Sequence, residues 1–124
     1  MKICLVGGIY GKQRAFRETL LMTPETVLEK GLIRDGHHVE TFGHHDQINY
    51  ERFDIVHVHH FALGALRAAS DHGDIPFVYT SHDGPLLCGN PGGAYRRLGG
   101  DFVMARVDAV VALSEEEAMF QKSF

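Results

Sequence analysis

Five short apolar runs, separated by loops and helix-like segments, constrain this chain more than any other feature. They cover residues 3–6, 54–59, 76–80 and 109–113, with a fifth segment, 38–42, that only partly alternates and also reads as a strand. Runs this short and nearly continuous suit strands of a parallel sheet, buried on both faces. Between them lie helix signals. Thr23 followed by Pro24 reads as an N-cap with proline in the first turn, and Gly36 as a stop after a helix ending near Asp35. Ala62, Ala65, Leu66 and Ala69 fall on one helical face, and Gly73 closes that segment. A further helix is expected over about 95–106. Ser114 and Glu117 form a capping box opening a last one, with Phe120 and Phe124 one turn apart. Pro76 sits at the first residue of its run, where a missing N–H is tolerated. Residues 12–22 fit no regular element, and residues 83–93 read as a long loop. The alternation predicts a doubly wound, mostly parallel sheet with right-handed crossovers, a Rossmann-like three-layer sandwich.

The length of 124 residues suits one such unit. With 12 Lys and Arg against 16 Asp and Glu, the net charge of −4 argues against nucleic acid as the main partner. No apolar stretch approaches the ~20 residues of a membrane span, and no signal peptide is visible. A cytoplasmic location is expected. Cys4 falls in a buried strand and Cys88 in a glycine-rich loop. Reduced thiols are expected, though spacing alone leaves a disulfide open. Glycine, 14 residues, and histidine, 9, are both abundant.

In a doubly wound sheet, ligands bind beyond the carboxyl ends of the strands. The residues placed there are Gly7, Gly8 and Gly11, then His59 and His60, then Ser81, His82 and Asp83, then Ser114. The glycines permit close backbone approach to a phosphate or sugar. They do not form the G-x-G-x-x-G dinucleotide fingerprint. His57 and His59 share one strand face and His60 takes the other. His57 is expected to be buried and bonded to backbone. With His82 and Asp83 these histidines invite a metal reading, but no histidine follows Asp83 to complete a ligand set, so no metal site is expected. His37, His38, His44, His45 and His72 sit in turns and are expected to be exposed. His82 is the sharpest candidate: it ends a strand, and Asp83 can fix its tautomer. There is no G-x-S-x-G elbow and no Walker loop. A phospho-receiver domain is matched only in size.

Taken together, the chain resembles the N-terminal domain of a family 4 glycosyltransferase of GT-B fold. The resemblance rests on MKICLVGGIYG, ETVLEKGLIRDGHHVETF, DIVHVHHF, PFVYTSHD and VDAVVALSEEE, in that order. It implies retaining transfer of a sugar from a nucleotide-sugar donor to a glycan, lipid or small-molecule acceptor, in a cleft between two Rossmann-like domains. No catalytic metal or other cofactor is implied. By carry-over, His82 would contact the transferred sugar as the catalytic residue. Gly7, Gly8, Gly11, His59, His60, Asp83 and Ser114 would line the cleft.

The C-terminal nucleotide-sugar domain has no counterpart here. Residues 1–124 are therefore expected to be an incomplete acceptor-side domain, inactive alone. Peripheral membrane contact of the parent and self-association of the fragment stay open. The alternatives are a non-catalytic ligand- or partner-binding module, or a histidine-ligated metallohydrolase.

Overall fold

The computed structural model describes residues 1–11, 23–60, 62–81 and 93–113. Five strands form one parallel sheet in the order β2-β1-β3-β4-β5. They are β1 Lys2–Val6, β2 His38–Phe42, β3 Ile55–His59, β4 Phe77–Ser81 and β5 Ala109–Ala112. The helices are α1 Pro24–Arg34, α2 Leu63–Asp71 and α3 Gly93–Met104, with 3-10 turns at Gly8–Gly11 and Tyr50–Arg52. The doubly wound, Rossmann-like architecture is as expected. The predicted loop over 83–93 and the capped helix from Ser114, with Phe120 and Phe124, lie outside the described residues. No described helix is long and apolar enough to cross a membrane.

The apolar pattern explains the layers. Cys4, Val6, Val56, Val58, Phe77 and Tyr79 point to one face and meet Ala65, Ala68 and Ala69 of α2 and Val103 of α3. The small alanine side chains let α2 lie close to the sheet. The chain steps from β1 to β2 in one direction and from β3 through β5 in the other. Right-handed crossovers therefore put α1 on the opposite face. There Ile3 and Leu5, of opposite parity to Cys4 and Val6, are buried.

Capping follows the sequence closely. Thr23 Oγ1 accepts from Thr26 N–H at 3.2 Å, and Thr26 Oγ1 accepts from Thr23 N–H at 3.1 Å. This is a capping box with threonine in place of the usual Glu or Gln. Gly36, at φ 90°, ends α1, and His37 N–H donates to Leu32 O. Two aspartates pin strand starts: Asp54 Oδ2 accepts from Lys2 N–H, and Asp108 Oδ2 from Phe77 N–H. Helix α3 begins and ends about two residues earlier than expected. Its last turn tightens where Arg106 N–H donates to Val103 O.

One expectation is corrected at β5. Its continuous apolar run predicts burial on both faces, but Val111 is 39% and Leu113 52% exposed. Strand β5 is the edge of the described sheet, and its α1-side face lies away from α1 at the β2 end.

Candidate functional site

The winding reverses between β1 and β3, and at such a switch point the loops beyond the strand ends diverge and leave a crevice. Gly7 and Gly8 leave β1 there, and His59 and His60 end β3. Of the residues expected to line a site, Gly7, Gly8, Gly11, His59 and His60 are thus brought to one edge. His82, Asp83 and Ser114 lie outside the described residues.

Gly7 is buried, its N–H donating to Phe42 O at 3.0 Å. A Cβ there would stand 3.2 Å from Glu25 Cγ and 3.4 Å from the Tyr10 ring, so only glycine fits without movement. Gly8 is exposed and faces the His44 ring. Gly11 passes Gly43 so closely that a Cβ on Gly43 would lie 2.8 Å from Gly11 Cα. Two glycines therefore allow the loops after β1 and β2 to touch. A cavity of about 510 Å³ opens beside them, bounded by Gly8, Gly11, Gly43, His44, Ala62 and Leu63.

The histidines divide by depth. His59 is nearly fully buried and stacks on His57, their planes 14° apart. His57 Nε2 lies 2.6 Å from Thr80 Oγ1. Its expected backbone bond is thus replaced by a side-chain partner on β4, because parallel register sets Thr80 beside His59 on the same face. Burial holds His57 down to about 4, so the ring is neutral. His60 instead reaches the surface, at φ 69°, with its N–H donating to Thr80 O at 3.2 Å.

A second polar contact at the edge joins two elements. His60 Nε2 lies 2.9 Å from Glu25 Oε1, in the first turn of α1. Glu25 is only 4% exposed. The bond to His60 holds its carboxyl at about 2, against the opposing effect of burial. Tyr10 Oη donates to the Glu25 carbonyl at 3.0 Å.

Sequence reasoning missed Glu25 and His44. An acidic residue in a first helical turn ordinarily serves the helix dipole at the surface, and nothing local signals burial. His44 was expected in an exposed turn. It is half-buried against Gly64, with Nδ1 enclosed and lacking a hydrogen-bond partner, and burial lowers its pKa first, then the nearby His60 and His45. His37 and His72 are half-buried too. His72 Nδ1 bonds Ile75 O at 2.9 Å and its ring leans on Phe77. His38 and His45 are exposed as expected. Among the described residues no three His, Cys, Asp or Glu side chains are grouped to hold a metal ion.

The family profile described as Glycosyltransferase Family 4 matches residues 42–120. This chain belongs to that family. The match takes in β3, β4 and β5, including His59 and His60, and begins at Phe42, the last residue of β2, so the glycine loop and α1 of this family 4 glycosyltransferase chain precede it. No curated protein and no solved structure matches it.

Proposed function

We propose that this family 4 chain is the acceptor-side half of a retaining glycosyltransferase whose donor is a nucleotide-sugar. The observation that carries the reading is the placement of Gly7 and Gly8 after β1 and of His60 after β3, on the two sides of the switch point. Exposed Gly8 has no side chain to hold the backbone away from donor phosphates and acceptor hydroxyls there, while buried Gly7 lets the loop pack beneath it. The bond from anomeric carbon to phosphate oxygen breaks, and the bond to an acceptor oxygen forms. The hydroxyl proton leaves with the phosphate. The protein's part is positional and electrostatic, with no side-chain nucleophile and no metal. His82 contacts the transferred sugar, directly after β4 in the chain. Gly11, His60, Asp83 and Ser114 belong to the cleft wall, and buried His59 supports that wall from beneath. A second Rossmann-like domain completes the cleft and holds most of the nucleotide. The reaction takes place in the cytoplasm.

The chain alone is expected to transfer no sugar. Incubation with a panel of nucleotide-sugars and acceptors, reading nucleotide release and product by mass spectrometry, tests this. Sugar transfer by the isolated chain overturns the division of labour, and hydrolysis of the donor with inversion overturns the retaining reading.

A second reading is a partner-binding module that self-associates. It draws on the exposed apolar row Val27, Val111 and Leu113, which lines a groove between α1 and β5. Light scattering showing a strict monomer at high concentration removes it.

A further inference from the structure

Glu25 lies outside the span of the family match and has no role in the cleft reading so far. Its surroundings are unusual for a first-turn acid. Burying a carboxylate is costly unless it is bonded, and this one is bonded to a residue from another element. Its Cγ packs where a Gly7 side chain would stand, its carbonyl accepts from Tyr10, and its Oε1 faces His60 Nε2. Glu25 of α1 thus ties its helix to two further segments that build the edge, the glycine loop and the end of β3. Helix α1 presents Glu29 as well, 3.5 Å from Tyr10 Oη. His59 on β3 and His44 from the loop after β2 also act on this cluster.

The partner is just as constrained. His60 holds a left-handed backbone that non-glycine residues rarely adopt, and such a conformation persists where the surroundings over-determine it. Its N–H is tied to Thr80 and its ring to Glu25. An ionised carboxylate can only accept, so the proton between the two belongs to Nε2.

We infer that Glu25 is a positioning residue of the cleft, fixing the proton on His60 Nε2 and the direction of that ring at the strand-end edge. This rests on the reading of the β1–β3 edge as the substrate cleft. The role is to present His60 in one protonation geometry before substrate arrives, which removes the need to order it during the reaction.

Side-chain nitrogen NMR of the 124-residue chain at neutral pH tests the inference directly. In the wild type, His60 is expected to carry its proton on Nε2. Glu25→Leu keeps the packing on Gly7 but removes the acceptor, so exchange of that proton with water should speed at least tenfold and both ring tautomers should appear. Glu25→Gln retains an acceptor oxygen and should restore the Nε2–H form. A wild-type proton on Nδ1 overturns the inference, whether or not the Leu variant folds. A folded Leu variant with unchanged exchange and tautomer overturns it equally. In the full enzyme, Glu25→Leu should lower kcat tenfold or more with KM within twofold, and Glu25→Gln should recover most of it. An unchanged kcat overturns the positioning role. Absence of glycosyl transfer by the wild type instead sinks the functional reading and leaves the NMR result to decide Glu25.

Discussion

The His57 ring lies nearly parallel to the His59 ring, their centroids 4.7 Å apart. Largely buried on the sheet face, His57 hydrates a charge poorly, and burial lowers its pKa from 6.5 to about 4. Between those values the unfolded chain binds a proton that the folded chain refuses. Stability therefore falls as pH drops from 6.5 toward 4, by about 3 kcal/mol in full. His44 adds in the same direction. Thermal melts across this window should show a falling Tm, and His57→Gln should flatten the slope. An unchanged slope in that variant would show that the stacked pair does not carry the effect.

Glu25 gives a second acid window with a different origin. Its pKa is lowered on folding from 4.5 to about 2, so its stabilisation is present above 4.5 and is lost as pH falls through that range. Glu25→Gln should remove this lower window and leave the one from His57 in place. Denaturant midpoints measured from pH 7 to pH 2 check it, and loss of both windows together would refute the separation.

Glycine positions at the edge should differ sharply in tolerance. Gly43→Ala drives a methyl into the Gly11 backbone at 2.8 Å, and backbone yields poorly. It should cost about 1–3 kcal/mol or more. Gly8→Ala meets nothing closer than 3.8 Å and should leave stability within about 0.5 kcal/mol. Urea titration distinguishes them, and equal losses would contradict the close loop approach.

Core and surface apolar residues should separate in the same way. Phe77 is fully buried and touches the His72 ring, so Phe77→Ala should cost about 3–5 kcal/mol. Ile33, at 53% exposed, should tolerate serine within about 0.5 kcal/mol. A mild Phe77→Ala would mean that the α2 side of the sheet is not the core.

For activity, His82→Ala in the full enzyme should cut turnover strongly with the fold intact. His37→Ala should do little, since its Nδ1 meets the Met1 amino group at 3.1 Å, at the end of the sheet opposite the strand ends proposed to carry the cleft. Wild-type turnover in the His82 variant would refute its assigned role.

Most of the fold was legible because its signals are local. Continuous apolar runs, the Thr23–Pro24 cap and Gly36 each act within a few residues. The placement of His59 and His60 at the carboxyl ends of the strands followed from topology alone. What escaped depends on contacts distant in the chain. Glu25 and His60 are 35 residues apart, and no pattern near either announces the partnership. His44 looks like any turn histidine until Gly64 admits it beneath the loop. At β5 the apolar run was read correctly as a strand, yet its burial depends on what stands beside the last position in the sheet.

Cys4 sits at the centre of the sheet, fully buried, its thiol raised to about 12 mainly by burial. At neutral pH it has almost no thiolate and no route to a reagent. Cys4 answers only when the strands separate, so its slow labelling serves as an internal clock that counts openings of the core.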